Sequence, residues 1–175
     1  MSDALVERAS VGVLLVDPKY PRNVGAAVRS CAAYGVTELR YTGERMSKSL
    51  AHLSRLPREE RFRGYKSVRW RRAARPFDEF AGFTPVAVEV RMEAESLPSF
   101  EHPERPLYVF GPEDGSIDSA ALRHCHRFVA IPTRHCLNLA MAVATVLYDR
   151  QAKAEPAFRM DMAETEGRGR RSAAG

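Results

Sequence analysis

Short apolar segments recur along the chain, separated by turns or by longer segments of helical character. Residues 11–16 form one such run, which Asp17 and Pro18 end, and this pattern is typical of a buried strand. Similar runs predict further strands at residues 38–41, 67–70, 85–90, 107–110 and 128–131. The apolar pattern therefore indicates a sheet whose strands are largely buried.

Helical patterns lie between these strands, at residues 24–34, 47–56, 77–83, 118–125 and 137 to about 153. Gly35 stands where a helix of residues 24–34 needs its C-cap. Alternating strands and helices are typical of α/β domains with a mainly parallel sheet. We therefore expect a single α/β domain over residues 1–155, and a flexible tail over residues 156–175 that ends in a Gly-, Ser- and Ala-rich segment.

The composition fits a folded domain and argues against other classes. The 175 residues are 45% apolar and 28% charged with a net charge of +5, which argues against disorder as the main state. The longest apolar candidate, residues 137–148, is shorter than the about 20 residues of a membrane span. No secretory signal pattern opens the chain, and the three cysteines are an odd number. We expect free thiols, no membrane contact and a cytoplasmic location.

The basic charge is concentrated in one window. Residues 55–75 hold nine basic and two acidic side chains, a net charge of +7, which leaves −2 for the rest of the chain. Most of the basic residues are arginines, which fork onto phosphate oxygens or stack on bases, and Phe62, Tyr65 and Trp70 lie among them. The window predicts a polyanionic partner, with a solvated charged face as the alternative.

Common nucleotide-binding motifs are absent, because neither G-x-G-x-x-G nor a P-loop follows the first strand. A different motif opens the first helix: Asn23-Val-Gly-Ala-Ala-Val-Arg29. Its small residues leave the helix start accessible, and free amides at a helix start attract anions. A cofactor that resembles a nucleotide would therefore have to bind by another route.

Two further motifs follow predicted strands. The segment Tyr108-Val-Phe-Gly-Pro-Glu-Asp-Gly-Ser-Ile117 runs from a strand into a turn bounded by glycines, which allow the backbone to approach a flat ligand. The segment Ile131-Pro-Thr-Arg-His-Cys-Leu-Asn-Leu-Ala140 leads into the last helix. That helix is apolar nearly all round, which predicts burial by its own domain and by a second surface.

Together and in this order, the three motifs resemble those of the SpoU/TrmH-type RNA ribose 2′-O-methyltransferases of the SPOUT superfamily, from residue 11 to about residue 150. The resemblance implies a deep trefoil knot near the C-terminus, an exception to the rule that folds are unknotted. It also implies a homodimer that binds S-adenosylmethionine without a metal and methylates RNA. The compact form looks most like the group that methylates the wobble nucleotide of tRNA, with ribosomal RNA as the alternative substrate.

The resemblance assigns roles to individual residues. The implied catalytic residues are Asn23, Arg29, Glu113 and Asn138, and the implied cofactor contacts are Glu89, Gly111, Ile131, Cys136 and Leu137. Cys136 departs from the serine that the family usually shows, which replaces a good hydroxyl donor with a weak thiol donor. The candidate RNA contacts are Arg22, Arg63, Lys66, Arg69, Arg71 and Arg72.

The chemistry of Arg29 limits its role. A guanidinium with a pKa above about 12 is a poor base, so we favour Arg29 as a phosphate clamp that stabilises a developing alkoxide, with a deprotonated arginine as the rival account. Retention of all four implied catalytic residues argues against a protein that binds RNA without catalysis. The histidines and cysteines at positions 124–126, 135 and 136 match no zinc-ligand spacing, so no metal is expected.

Overall fold

The computed structural model describes residues 11–52 and 67–154. These residues form seven strands, five α-helices and one 3₁₀-helix. In chain order the elements are β1 (Gly12–Leu15), α1 (Pro21–Ala33), β2 (Glu38–Tyr41), α2 (Arg45–His52), β3 (Arg69–Arg72), α3 (Pro76–Glu79), β4 (Thr84–Val88), β5 (Glu95–Ser96), the 3₁₀-helix (Leu97–Ser99), β6 (Pro106–Phe110), α4 (Ser119–Leu122), β7 (Arg127–Ala130) and α5 (Leu139–Ala154).

The strands form one parallel sheet in the order β3-β2-β1-β6-β4-β7-β5. The prediction of an α/β domain with a mainly parallel sheet is therefore confirmed. On one side of β1 the strands follow in chain order, β2 and then β3, whereas on the other side β6 is followed by β4, β7 and β5. β1 and β6 are neighbours, and the helices that follow them, α1 and α4, pack on opposite faces of the sheet. Open α/β sheets bind ligands at the carboxyl edge beside such a point.

Each predicted strand and helix has a counterpart in the described residues; the strand at residues 38–41 has the predicted bounds, and the bounds of the others are shifted. Helix α1 begins at Pro21 instead of residue 24, because proline is well suited to the first position of a helix. After α1, Gly35 has a φ of +69°, and the amides of Gly35 and Val36 donate to the carbonyls of Ala32 and Cys31. This is the glycine C-cap that the sequence predicts.

Two hydrophobic layers cover the sheet. One face packs against α1 and α5, and its largest buried side chains include Leu15, Leu39 and Tyr108. The other face packs beneath α3 and α4, around Leu14, Phe80 and Leu107. Leu14 and Leu15 enter opposite layers because side chains alternate along a strand. The sheet is thus buried on both faces, which explains its apolar runs.

A chain of hydrogen bonds fixes the second half of α5 to β6. The ring of His102 contacts the Tyr108 hydroxyl through Nδ1 at 2.5 Å and Asp149 Oδ2 through Nε2 at 2.8 Å. Lys153 Nζ lies 2.6 Å from the same carboxylate and donates to the carbonyls of Leu97 and Phe100. Because Asp149 only accepts, Nε2 donates to it and Nδ1 accepts from Tyr108. The arrangement therefore suits a neutral histidine.

Some predictions fall outside the described residues, namely the tail at residues 156–175 and the part of the basic window that contains Phe62, Arg63, Tyr65 and Lys66. In the described ranges, no helix is long and apolar enough to cross a membrane. The three cysteines are free; Cys31 and Cys125 are buried, whereas Cys136 is exposed.

Candidate active site

The first two motifs meet at the carboxyl edge of the sheet, where Glu113 joins the loop after β6 to the loop after β1. The Glu113 carboxylate accepts from the backbone amides of Lys19 at 2.8 Å and Tyr20 at 3.3 Å. It also accepts from Asn23 Nδ2 at 2.6 Å. Three donors converge on one side chain, so Glu113 fixes the start of α1 relative to the glycine turn.

The third motif joins this cluster through Asn138. Asn138 Nδ2 donates to Asn23 Oδ1 at 3.0 Å, and Asn138 Oδ1 accepts from the Ala140 amide at 2.9 Å. Asn23 is buried, so its amide group needs partners on both sides, and Glu113 and Asn138 supply them. The resulting chain, Glu113–Asn23–Asn138, connects residues that are up to 115 positions apart in sequence.

A pocket of about 210 Å³ opens beside this cluster. Its walls come from the ends of β4, β6 and β7 and from the start of α5, and they are mainly apolar. All five predicted cofactor contacts line it: Glu89, Gly111, Ile131, Cys136 and Leu137. Glu113 lines it as well, so the pocket and the hydrogen-bonded cluster share one side chain.

Two features of the pocket fit a nucleoside cofactor such as S-adenosylmethionine. A Cβ added at Gly111 would lie 3.0 Å from the Ile117 amide nitrogen, so the glycine keeps the wall open for a close backbone approach. Glu89 Oε2 is sealed from solvent and has no hydrogen-bond partner among the described residues. Buried acceptors of this kind normally have a donor, which the described residues do not supply here.

The cysteines differ in their surroundings. Burial raises the pKa of the Cys125 thiol to about 11, and the nearby charge of Glu89 adds to this effect. Burial likewise raises the pKa of Cys31 to about 12. Cys136 is exposed on the pocket wall. Among these thiols, Cys136 is thus the one that a ligand in the pocket can reach.

Arg29 lies outside the pocket lining, on the exposed face of α1. It follows Asn23 by six residues, which places the two side chains about 120° apart around the helix. Arg22 lies on the same face as Arg29, seven residues earlier, and its guanidinium is 4.8 Å from the centre of the Tyr20 ring. The two arginines therefore flank the outer side of the helix whose inner side carries Asn23.

Exposed charges surround the same loops. Asp114 accepts from Lys19 Nζ at 3.0 Å and from Arg45 Nη2 at 2.8 Å. Hydrogen bonds from Arg45 and Lys19 lower the pKa of Asp114 to about 2. Sequence reasoning did not single out Lys19, Tyr20 or Arg45. Two of them hold Glu113 through backbone amides, and a backbone donor leaves no trace in residue type.

The arginines of β3 are paired within the fold. Arg69 pairs with Glu38, and Arg72 pairs with Glu44. Arg71 Nη2 lies 2.7 Å from Glu79 Oε2. The predicted charge of the window is therefore partly offset, although each of these arginines is still 40–48% exposed and can present further N–H groups to solvent.

A buried arginine completes this network. Arg40 is only 2% exposed, and its guanidinium contacts Glu38 at 2.9 Å and Glu79 at 2.7 Å. It also donates to the carbonyls of Leu39 and Arg69. Trp70 of β3 packs on Tyr41, with ring centres 6.2 Å apart. Both Arg40 and Trp70 therefore contribute to the packing of the sheet edge.

The described parts of the chain contain no group of three or more His, Cys, Asp or Glu side chains placed to hold a metal ion.

Comparison with known proteins identifies the family. The model of the SpoU rRNA Methylase family matches residues 10–148. A tRNA (cytidine-2′-O-)-methyltransferase, TrmJ of Methanocaldococcus jannaschii, is 26% identical over 162 residues, which cover 82% of this chain and 68% of that protein.

Solved structures share the fold. A structure solved to study the 2-OH methylation of C/U34 on tRNA is 25% identical with a TM-score of 0.66. The match covers 85% of this chain and 98% of the other chain. The TrmH/SpoU tRNA modifying enzyme of A. aeolicus is 19% identical with a TM-score of 0.68 over 89% and 86% of the two chains. The SpoU methyltransferase AviRb of Streptomyces viridochromogenes, solved in complex with AdoMet, is 22% identical with a TM-score of 0.62. The match covers 84% of this chain and 62% of AviRb.

The family model spans the three motifs and most of the described sheet, which confirms the resemblance seen in the sequence. The chain therefore belongs to the SpoU rRNA methylase family.

Proposed function

We propose that this protein transfers a methyl group from S-adenosylmethionine to a ribose 2′-hydroxyl of RNA, and that its substrate is tRNA methylated at the wobble nucleotide. One observation carries the proposal: the Glu113–Asn23–Asn138 chain lies beside a pocket lined by the five expected cofactor contacts. The choice of tRNA is supported by the TrmJ relative and by the C/U34 structure, 98% of which this chain covers.

Each motif has a task in this reaction. When bound, S-adenosylmethionine supplies an electrophilic methyl group. The mainly apolar walls around Ile131 and Leu137 exclude water from the cofactor, and Gly111 lets the backbone approach it. Glu113, Asn23 and Asn138 hold α1 and α5 in fixed positions relative to the pocket, so that the ribose meets the methyl group in one orientation.

Arg29 is the group we propose to act on the RNA. The attacking 2′-hydroxyl loses its proton to a substrate phosphate or to water, and a guanidinium beside it stabilises the charge that develops on oxygen. The Arg29→Ala variant should lose methyl transfer while its affinity for S-adenosylmethionine changes little, because Arg29 does not line the pocket. Calorimetry with the cofactor and single-turnover methylation measure the two effects. Near-normal turnover would exclude this role.

The candidate RNA surface comprises Arg22 on α1 and the three arginines of β3. All four side chains are partly exposed, and arginine suits phosphate contacts. Transfer of labelled methyl groups to purified tRNA and ribosomal RNA, followed by nucleoside mapping, tests the substrate. Methylation of tRNA at the wobble ribose is expected. Methylation of ribosomal RNA alone would show that ribosomal RNA, and not tRNA, is the substrate. RNA binding without methylation would indicate a non-catalytic protein.

We further propose a homodimer formed through α5. Its inner side packs on the core, but Met141 and Tyr148 are 60% and 62% exposed along one side of the helix, and Leu137, just before the helix, is 38% exposed. Exposed apolar side chains of this size favour a protein contact, and two-fold dimers are the commonest assembly. Sedimentation should report a dimer, and Met141→Glu should give monomers. A wild-type monomer that is active at micromolar concentration would contradict the proposal.

The trefoil knot and the cytoplasmic location are proposals as well. The knot is supported by family membership and by the way β6 and β7 flank β4 while α5 returns across the sheet to α1. Stretching the chain between residues 11 and 154 in optical tweezers would test it, because a tightened knot shortens the extended length. The cytoplasmic location is supported by the proposed tRNA substrate and by the free thiols, and fractionation of cells that express the protein would test it.

A further inference from the structure

Glu89 carries the unexplained polar atom of the pocket. Its Oε2 is inaccessible to solvent and has no hydrogen-bond partner among the described residues. Leaving a buried acceptor unpaired is costly, so a ligand that supplies a donor there gains affinity.

The fold holds Glu89 rigidly next to the glycine turn. Val88 pairs with Phe110 in the sheet, so Glu89 and Gly111 follow side by side at the carboxyl edge. On the other side, the Glu89 amide donates to the Val129 carbonyl at 3.0 Å. Glu89 is therefore anchored through its backbone between the ends of β6 and β7, where it lines the pocket.

The surroundings favour one part of the cofactor. The apolar side chains of Ile117, Ile131 and Leu139 suit the flat face of an adenine. A carboxylate at the end of one parallel strand, beside a glycine turn at the end of its neighbour, is the arrangement by which dinucleotide-binding α/β domains hold a ribose hydroxyl. Vicinal hydroxyls offer two donors to an acceptor-only group.

We propose that the Glu89 carboxylate accepts hydrogen bonds from the ribose hydroxyls of the cofactor and thereby selects a ribonucleoside. The inference rests on the proposed cofactor pocket. Glu89 is the carboxylate available for this role, because Glu113, the other carboxylate that lines the pocket, already accepts from three donors.

Binding measurements test the proposal without any methyl transfer. The probes are S-adenosylhomocysteine, 5′-methylthioadenosine, which lacks the amino-acid part, and the 2′-deoxy and 3′-deoxy forms of 5′-methylthioadenosine. Glu89→Gln keeps the size of the side chain and removes its charge. Glu93→Gln is the matched control, because Glu93 lies in the same loop but is exposed and outside the pocket lining.

Glu89→Gln should weaken binding of S-adenosylhomocysteine and 5′-methylthioadenosine alike, by about 10- to 100-fold, since hydrogen bonds to charged groups are of that strength. The wild-type protein should bind at least one deoxy form more weakly than 5′-methylthioadenosine. In Glu89→Gln that difference should nearly vanish, and Glu93→Gln should behave like the wild type. Glu89→Asp, which restores the charge, should recover part of the affinity.

Two results would overturn the assignment. In the first, Glu89→Gln weakens S-adenosylhomocysteine but not 5′-methylthioadenosine, which assigns the carboxylate to the amino-acid end. In the second, removing a ribose hydroxyl from the probe lowers the affinity of the wild type and of Glu89→Gln by the same factor. Urea unfolding of Glu89→Gln verifies that the variant is folded. Failure of the wild-type protein to bind any probe is a different outcome, since it overturns the cofactor pocket itself.

Discussion

Glu113 allows a quantitative test of how the three motifs are held together. Glutamine has the size of glutamate but offers one acceptor oxygen and one NH₂ group in place of two acceptor oxygens. In the structure, Oε1 accepts from Tyr20 and Asn23, and Oε2 accepts from Lys19. Glu113→Gln therefore turns at least one donor–acceptor contact into a contact between two donors.

The best placement of the new amide keeps its oxygen at the Oε1 position and leaves the Lys19 amide facing an NH₂ group. One unsatisfied donor costs about 1–3 kcal/mol, so the free energy of unfolding should fall by this amount. Equilibrium unfolding in urea measures the change. Methyl transfer should fall as well, because α1 then loses its fixed position relative to the pocket.

Asp114→Asn is the control, since it makes the same chemical change one residue later. Asp114 is exposed and is paired with Lys19 and Arg45 at the surface, where ion pairs contribute little. Its substitution should leave unfolding and methyl transfer nearly unchanged. If Glu113→Gln were no more destabilised than Asp114→Asn, the reasoning that Glu113 joins the motifs would be refuted.

Three further predictions address separate parts of the molecule. Cys136→Ser should keep cofactor binding and tighten it slightly, because a neutral hydrogen bond contributes only about 0.5–1.5 kcal/mol; complete loss of binding in calorimetry would contradict this alignment of the third motif. Glutamine at Arg69, Arg71 and Arg72 should weaken RNA binding and flatten its log–log salt dependence by about 0.7 per lost phosphate contact, whereas an unchanged slope in filter binding would leave these arginines with only their ion pairs. Burial lowers the pKa of His102, so the folded state binds fewer protons than the unfolded state, and the melting temperature should fall as the pH drops below about 6.5; a His102→Gln variant should lose most of this dependence.

The sequence could predict the features that depend on local pattern. The run at residues 11–16, the C-cap at Gly35 and the alternation of strands with helices each depend on neighbouring residues, and the structure contains them. The short strand Glu95–Ser96 was missed, because two exposed polar residues carry no alternating apolar pattern. The family resemblance added candidate residues that pattern alone left open.

Ion pairs between residues that are far apart in the chain could not be predicted from the sequence. The net charge of +7 counted for residues 55–75 omits Glu38, Glu44 and Glu79, which lie outside that window yet pair with the arginines of β3. Likewise, Glu38 and Arg40 occupy a predicted buried strand, where they pair with each other and with Arg69 of β3 and Glu79 of α3. A local charge count cannot distinguish a free cation from a paired one.

The location of Glu113 suggests how the cofactor and the RNA could affect each other. Its carboxylate lines the pocket, and its hydrogen bonds hold the start of α1, whose exposed face carries Arg29. A cofactor that orders the glycine turn thereby also orders the helix that presents Arg29 to the substrate. Coupling of this kind is reciprocal, so RNA should tighten cofactor binding by the same factor. The polar residues shared by the three motifs would then act mainly by positioning, and Arg29 would be the one that meets the reacting ribose.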